Sequence, residues 1–437
     1  MLALRMDLKH ATTWRRGMES WYLAYALLGA SAAGLVPILL PLMVYEMSGA
    51  AYTGLVVAAY NCGGLTAPLW GGLADRYRLH RSLLGGGLLL AALGLTAFPF
   101  ALDLPSRTGL ALLQGMGASG AATVANLFVV EAHPEREWEE RIGWLQTFYA
   151  TGQVFGLLLA GALSRTSLSI GLFTAAGLML LAALLGWATT RTPSLALPQK
   201  PVVMQPPRHG EWPIGSPQHL FHHWSPEMLQ GWGRNLCSPF ALFLLSWLFA
   251  FAGSWGFFSL YPVLMQQVFG VSPWLLSIGS AVAHGLGLFL FVPAGLWSER
   301  QGPERVLGSA LSMRLLAFTA LFGLGFVAFG GQGWLALSCV IVVILSWSLL
   351  SVSGTALVAH LSQMGEGEGM GLFNATTALA GITGSALGGW VAEQWGYQAS
   401  LGLPVAGVAV GLLLTRCIRR DHTLDRSPKF SLGQGDS

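Results

Sequence analysis

The sequence GGLADR at residues 71–76 returns, with changes, as GLWSER at residues 295–300. Each copy follows a long apolar run and precedes another, so a glycine, an acid and an arginine mark the end of an apolar segment in both halves of the chain. Two further pairs of stretches align at nearly the same offset, residues 41–49 with 262–270 and residues 140–146 with 368–374. This internal repeat predicts a duplicated bundle of helices.

The composition places that bundle in a membrane. Only 10% of the residues are charged, whereas 53% are hydrophobic, and a soluble chain carries roughly 25% charged residues. The 57 glycines are typical of closely packed transmembrane helices. The net charge of +3 indicates no class of partner beyond the lipid bilayer, and we expect no nucleic-acid partner.

Apolar segments of about 20 residues, the length that crosses about 30 Å of hydrocarbon, follow one another along the whole chain. Twelve such spans are predicted, at residues 21–45, 50–72, 82–102, 107–131, 143–165, 170–189, 240–265, 273–297, 306–328, 334–359, 370–392 and 398–417. Residues 1–20 are polar and basic, so we expect no cleavable signal and a first run that stays as a helix.

The basic residues predict the orientation, because loops rich in Lys and Arg are retained in the cytoplasm. With both termini inside, all 23 Lys and Arg residues except Arg107, Arg165 and Arg314 fall in cytoplasmic segments. Arg107 and Arg165 would lie in outer loops, and Arg314 lies within a span. We therefore predict that both termini are cytoplasmic.

The spans divide the chain into two predicted bundles of six helices each. The divisions are a first bundle at residues 1–190, a cytoplasmic linker rich in proline and histidine at 191–238, a second bundle at 239–418, and a cytoplasmic tail at 419–437. The run of residues 219–223, HLFHH, favours a solvated linker over a metal site because no cysteine or nearby carboxylate completes a ligand set. The four cysteines show no metal or redox spacing, and we expect no cofactor.

The repeated loop resembles a motif of the major facilitator superfamily, G-x-x-A-D-R-x-G-R-R, between helices 2 and 3. The first copy matches at Gly71, Ala74, Asp75, Arg76 and Arg81, and it departs from the pattern at Arg78 and Leu79. The second copy keeps Gly295, Glu299, Arg300, Gly302 and Arg305. The resemblance covers nearly the whole chain. It implies an all-α polytopic membrane protein with twelve transmembrane helices in two pseudo-symmetric bundles.

Two other family patterns are incomplete. The R-x-x-Q-G pattern of helix 4 is ALLQG at residues 111–115, with Ala111 where a functional arginine is often found, so that arginine's role does not carry over. The antiporter pattern lacks its proline in both helix 5 and helix 11. Its small residues, among them Gly152, Gly156, Gly384 and Gly388, have a plain packing explanation, since they let helices approach closely in lipid. An antiporter mechanism is allowed but not indicated.

The resemblance implies a gate at the inner face, which we call the clasp. Asp75 would face the start of helix 11 near residues 369–371, where the helix dipole favours an anion, and Glu299 would face the start of helix 5 near Gly143. Four arginines, Arg76, Arg81, Arg300 and Arg305, would complete ion pairs between the halves. The clasp would favour the outward-open state. The alternative is that the charged residues only anchor the topology.

A substrate site is expected near mid-membrane between the halves, where polar side chains inside spans are the candidates. Gln146, Tyr149 and Gln153 share one face of helix 5, and Asn374 and Thr377 form a shorter face in helix 11. The other candidates are Asn61, Asn126, Trp255, Trp347 and His284. Each is nearly as suited to an interhelical hydrogen bond as to a ligand contact.

Charged groups inside the spans are few. No carboxylate falls deep in a predicted span, so coupling through a buried acid has little support. His284 is the deep residue whose charge would change near neutral pH, and a hydrogen-bonded or substrate-contacting role is favoured over proton carriage. Arg314 lies about eight residues into its span, a depth from which we expect it to snorkel to the inner interface. Substrate binding by Arg314 is the less favoured alternative.

These observations predict a multi-pass secondary transporter of the inner or plasma membrane. It would act as a monomer, moving a small neutral or amphiphilic molecule by alternating access, with export slightly favoured and a proton or cation as coupling ion. The alternative from another class is a sensor or scaffold without flux. An enzyme is not expected, because the sequence has no Walker loop, zinc spacing or nucleophile–base pair.

Overall fold

The protein folds into helices that form most of every predicted span. The computed structural model describes residues 19–77, 79–134, 137–190, 238–327, 329–362 and 366–425. The predicted linker up to residue 237 and most of the predicted tail lie outside these residues, as do the histidines of residues 219–223.

The helices of the first group come before the predicted linker. They are α1 (Tyr22–Leu28), continued by the π-helical segment Gly29–Leu35, α2 (Val36–Gly63), α3 (Ala67–Tyr77), α4 (His80–Ala97), α5 (Leu104–Ala132), α6 (Trp138–Leu163) and α7 (Leu168–Thr189).

The helices of the second group follow the predicted linker. They are α8 (Pro239–Phe258), α9 (Tyr261–Phe269), α10 (Pro273–Gln301), α11 (Pro303–Leu324), α12 (Gln332–Leu361), α13 (Glu366–Ser400) and α14 (Gly402–Asp425).

Length and apolar composition mark eight of the described helices as candidate membrane spans, or nine with the pair Gly369–Ser400 and Gly402–Ile418, which is bent by 81°. One candidate, Tyr22–Ala74, contains the first two predicted spans. Helix α6 falls outside the set because its glutamines and threonines lower its hydropathy. The protein is thus an all-helical, multi-pass membrane protein among its described residues, and the count of twelve spans stays a prediction.

Two glycines turn the chain between neighbouring spans. Gly49, with φ of 84°, interrupts α2 between the first two predicted spans, and Gly396, with φ of 85°, interrupts α13 just before the last. A positive φ is favourable for glycine alone among common residues, so both reversals depend on its missing side chain.

Helices of each group pack mainly within that group. Between the groups, α2 packs against α13, and α6 packs against α10. The end of the molecule that carries residues 71–81 and 295–305 is called the motif end here. The opposite end, with Gly49 and Gly396, is called the far end. The functional side chains lie between these two ends.

Candidate functional site

A polar network joins α1, α5 and α6 in the first group. Asn126 Nδ2 donates to the Tyr25 hydroxyl at 3.4 Å, and Gln146 Nε2 donates to Asn126 Oδ1 at 3.3 Å. The rings of Tyr25 and Tyr149 have centroids 5.1 Å apart. Gln153 lies half-buried farther along α6. The structure therefore brings Asn126, Gln146 and Tyr149 together, with Tyr25 as a member that the sequence analysis missed.

An aromatic cluster occupies the second group. Trp247 stacks on Phe251 with ring centroids 4.1 Å apart, and Phe373 lies 4.6 Å from Trp247. Trp247 Nε1 donates to Thr377 Oγ1 at 2.9 Å, so the hydroxyl of Thr377 is held by an interhelical bond. Trp347 packs edge-on against Phe251 and stays 40% exposed, which leaves its ring available to a ligand.

The other residues predicted to line the substrate cavity lie outside the polar network and the aromatic cluster. Asn61 Nδ2 donates to Ser385 Oγ at 3.3 Å, so its amide links the two groups. His284 Nδ1 lies 2.8 Å from the Ser280 carbonyl oxygen, one turn earlier in α10. Asn374 is exposed and Trp255 is half-buried. His284 is thus hydrogen-bonded to its own helix.

The prediction that Arg314 snorkels to the interface is wrong. Its side chain is 2% exposed, and it bonds Ser346 Oγ through Nε at 3.0 Å. Nη1 donates to Ser254 Oγ at 3.4 Å, and Nη2 donates to the Val343 carbonyl oxygen at 3.3 Å. These hydroxyls give Arg314 partners at mid-helix, so the side chain turns into the second group rather than toward water.

A set of contacts called the far-end latch joins the two groups. Glu393 Oε2 accepts from the amide N–H groups of Ala50 and Ala51 at 3.1 and 3.4 Å, just after the turn at Gly49. A carboxylate is favourable there, because the first amides of a helix lack internal partners and carry partial positive charge.

The second part of the latch lies at the other seam between the groups. The guanidinium of Arg165, after α6, lies 4.5 Å from the ring centroid of Trp274 at the start of α10. Arg165 lies just after α6, and Glu393 lies near the end of α13, the corresponding helix of the internal repeat. Each contacts the start of a helical segment in the opposite group. The latch therefore follows the pseudo-symmetry of the chain.

The motif end shows no such closure among the described residues. Arg76, Glu299, Arg300 and Arg305 are exposed, and none forms an ion pair with a described residue. A Cβ atom placed on Gly72, Gly143, Gly295 or Gly371 would meet nothing within 4 Å. Arg81 lies over Trp187 of its own group at 4.5 Å. The side chain of Asp75 lies outside the described residues, so its predicted contact stays a prediction.

Arg141 belongs to an ion-pair cluster inside the first group. Its guanidinium contacts Glu19 Oε1 at 2.6 Å and Glu137 Oε2 at 2.9 Å. His133 Nε2 lies 2.7 Å from the same Glu19 oxygen. Burial nevertheless lowers the pKa of His133, and the Glu19 carboxylate offsets only part of that effect. The cluster ties the segment before α1 to the turn between α5 and α6, not one group to the other.

The contacts between the groups therefore define an asymmetric state. They extend from Glu393 and Ala50 at the far end to Gly64, whose nearest neighbour across the seam is Ala378. In the motif region, a Cβ atom on Gly71 would approach only Thr123 and one on Gly369 would approach Ser362 and Val358, all within the same group. The polar network lies in the first group and the aromatic cluster in the second, and the latch joins these groups at the far end.

A family comparison identifies this arrangement. The family model described as Major Facilitator Superfamily matches residues 21–366 and 293–434. The chain belongs to the Major Facilitator Superfamily. The resemblance predicted from the paired loops is confirmed, and so is the prediction that the protein is not an enzyme, because the family and its structural neighbours are transporters.

Solved structures share this superfamily fold. A mutant form of the nucleoside transporter NupG has a TM-score of 0.68 at 12% identity, over 92% of this chain and 98% of that chain. A bacterial homologue of the human lysosomal transporter Spinster, inward-facing and unoccupied, has a TM-score of 0.65 at 16% identity, over 92% and 97%.

A D-xylose–proton symporter has a TM-score of 0.63 at 13% identity, covering 91% of this chain and 95% of that chain. A comparison with curated protein sequences gives no match. At these identities the neighbours show the superfamily fold and leave the substrate of this member open.

The small residues of the antiporter-like patterns are packing contacts in this superfamily member. A side chain on Gly152 would overlap the Ala26 carbonyl oxygen of α1, and one on Gly384 would overlap the Ala252 carbonyl oxygen of α8. Corresponding helices thus touch through backbone in both groups, as the packing explanation predicted.

Several contributors to the site carry weak sequence signals. In the sequence, Tyr25 and Trp247 look like ordinary aromatic residues of apolar runs, and Ser385 is one of many small residues. Glu393 and Arg165 stand at helix ends, where charged residues are common in any membrane protein. Alignment of the two halves of the repeat pairs Arg165 with Glu393, and this pairing is the sequence signal for the latch.

Proposed function

We propose that this protein is a secondary transporter that moves a small neutral or amphiphilic molecule by alternating access. The observation that carries the proposal is the asymmetry of the contacts between the groups: the latch joins them at the far end, whereas the described motif residues Arg76, Glu299 and Arg300 are exposed. The proposed substrate cleft is the space between the groups. Superfamily members alternate by rocking one half against the other around a midplane site, and this geometry is that of one end state.

The lining of the cleft supports the proposed substrate class. Gln146 and Asn126 offer amide groups, and Tyr149 and Trp347 offer ring surface. Such a lining binds polar groups by hydrogen bonds and apolar groups by aromatic contact. Titratable carboxylates stand at helix ends, as at Glu46 and Glu393, so a coupling proton or cation would bind outside a deep acidic site.

The proposed setting follows the charge distribution. Both termini would lie in the cytoplasm, which makes the motif end cytoplasmic and the described state inward-open. The protein would work as a monomer in the inner or plasma membrane, with export favoured over uptake. The two six-helix bundles at residues 1–190 and 239–418 would be the rocking units, and the segment 191–238 their linker.

A ligand screen tests the proposal. Purified protein is heated with a broad set of small compounds, and a compound that binds the folded state raises the apparent melting temperature. We expect hits that are neutral or amphiphilic, with shifts reduced in Gln146→Ala and Asn374→Ala variants. Uptake and efflux of the hits in vesicles of both orientations then measure flux and its direction. Ligands that bind but never cross the membrane would favour the sensor or scaffold function instead.

A further inference from the structure

Arg314 is a buried cation in the membrane interior. It stands at the middle of α11, is 2% exposed, and forms no ion pair with any described residue. A charge at the centre of a membrane helix costs several kcal/mol, and such residues face partners, cavities or substrate pathways. A side chain kept there without a counter-ion has a role that packing alone does not explain.

The groups around Arg314 leave it able to accept a further ligand. Its guanidinium has five N–H donors, and the described bonds to Ser346, Ser254 and Val343 use three of them. The Ser346 hydroxyl donates its proton to the Val343 carbonyl oxygen and the Ser254 hydroxyl donates to Ala250. Both hydroxyl oxygens therefore turn lone pairs toward the guanidinium and hold it in place.

Two aromatic side chains separate Arg314 from the proposed cleft. The guanidinium carbon lies 5.4 Å from the ring centroid of Phe251, and Phe251 contacts Trp347 edge-on at 5.7 Å. Trp347 directly follows Ser346 in the chain, and its ring is 40% exposed. A rotation of these two rings would connect the cleft with the spare N–H groups of Arg314.

We propose that Arg314 binds the anionic group of an amphiphilic substrate, while Phe251 and Trp347 contact its apolar body. Carboxylates fit the guanidinium because two oxygens accept from two parallel N–H groups. One buried cation fits one negative charge, so the ligand class is an amphiphilic monoanion. This inference rests on the proposed transport function and specifies its substrate class.

Matched acids and amides test the inference. The probes are aromatic and alkyl monocarboxylates, such as indole-3-acetate and 4-phenylbutyrate, each paired with its primary amide. Binding to the purified full-length chain is measured by thermal shift and by tryptophan fluorescence, with and without phosphatidylglycerol. We expect acids to bind at least about tenfold more tightly than their amides, as for hydrogen bonds to a charged group.

Variants assign that preference to Arg314. In Arg314→Gln the acid and the amide should bind equally, and in Arg314→Lys, which keeps the charge but loses the paired geometry, acid binding should weaken while amide binding stays. Trp347→Ala should weaken both alike. The matched control is Arg107→Gln, since Arg107 is also buried but bonds Ala101 and Ser48 at the far end.

Four outcomes would overturn the inference. The first two are equal binding of acids and amides by the natural chain, and binding of neither series. The third is an acid preference that survives in Arg314→Gln. The fourth is an Arg314-dependent thermal shift caused by phosphatidylglycerol alone, which would assign the site to a lipid headgroup. If Arg314→Gln does not fold, the inference is tested by the weaker acid binding expected in Arg314→Lys and the equal loss of acid and amide binding expected in Trp347→Ala. Transport of amides without acid preference rejects the anion site and leaves the transport function standing, whereas flux of no compound in either vesicle orientation rejects the transport function.

Discussion

At the scale of single residues, the structure separates polar side chains with similar sequence positions. His284 and Arg314 both lie inside helices of the second group, but His284 bonds its own helix whereas Arg314 bonds two others. Asn61 and Thr377 are engaged in interhelical bonds, while Trp347 keeps a free face. Hydrogen-bond partners, which come from neighbouring helices, decide the role of each residue.

His284→Gln is predicted to keep the pH dependence of transport. The ring is held to the Ser280 carbonyl oxygen at 2.8 Å, and a glutamine amide can replace that bond. Initial rates for a ligand found in the screen should be measured between about pH 5.5 and 8, a range that brackets the ordinary histidine pKa of about 6.5. Loss of the pH profile in this variant, but not in His360→Gln at the exposed end of α12, would make His284 the proton carrier.

Gly152→Val is predicted to destabilise the protein. The new side chain would overlap the Ala26 carbonyl oxygen, and overpacking of this kind costs roughly 1–3 kcal/mol. The control is Gly177→Ala, because a Cβ there meets nothing within 4 Å and a helical alanine is about 0.5–1 kcal/mol better than glycine. Melting curves of both variants should move in opposite directions, and an unchanged midpoint in Gly152→Val would show that α1 and α6 can separate freely.

At the scale of elements, the contacts between helices repeat with the sequence. α6 approaches α1 at Gly152, and α13 approaches α8 at Gly384. The same two helices also form the seams between the groups, α6 with α10 and α13 with α2. Each seam ends at the far end in a charged residue, Arg165 or Glu393. These two helices are therefore the elements about which one group would move against the other.

Glu393→Ala is predicted to shift the protein away from the far-end-closed state. The variant loses the bonds to the Ala50 and Ala51 amides, and a charge at a helix N-terminus contributes about 0.3–1 kcal/mol, or roughly a two- to fivefold change in population. The change in population is measured by electron paramagnetic resonance, as the distance between spin labels at the exposed far-end positions Leu102 and Val327. Gln394→Ala, a neighbouring exposed change, should leave the distance distribution as it was. If Glu393→Ala gives the same distribution as Gln394→Ala, the latch does not hold the far end.

At the scale of the whole molecule, one end is held together and the other is open. Far-end bonds cross between the groups, whereas the motif residues Arg76, Glu299 and Arg300 stand exposed. The clasp predicted from the sequence would belong to the opposite, outward-open state, and the described side chains of Glu299, Arg300 and Arg305 form no ion pair with a described residue. The two ends would therefore alternate, each stabilised by acids at helix N-termini.

Glu299→Gln is predicted to lower the population of the outward-open state. A clasp contact that is partly buried contributes about 1–2 kcal/mol, or roughly five- to thirtyfold. Spin labels placed across the motif end measure the balance, in the presence of a ligand that populates both states. Glu304→Gln, which changes a nearby carboxylate in the first turn of α11, is the control. An unchanged balance and unchanged transport in Glu299→Gln and in Asp75→Asn would exclude the clasp.

Cys417 is predicted to react with a membrane-impermeant maleimide only from the cytoplasmic side. It is exposed near the motif end of the last helix, and the charge distribution puts that end inside. A single-cysteine variant retaining Cys417 should be labelled in inside-out vesicles and protected in right-side-out vesicles. Labelling in the reverse pattern would invert the proposed orientation.

The amino-acid sequence by itself determined the class of fold. Apolar run length and low charge predict membrane helices because unpaired backbone groups are excluded from hydrocarbon, and the two related loops indicate the duplication. These local properties survive in the structure, since helices form most of every predicted span. They led to the superfamily that the comparisons confirm.

Only the tertiary structure decided which side chains contact one another across helices. The burial of Arg314, the bond of Glu393 to the segment of α2 after Gly49, and the bond between Asn61 and Ser385 each join residues far apart in the chain. A hydrogen bond or a buried charge depends on what the opposite helix presents at that depth, and no local pattern carries this information. For the same reason the open motif end and the closed far end are visible only in the packed molecule.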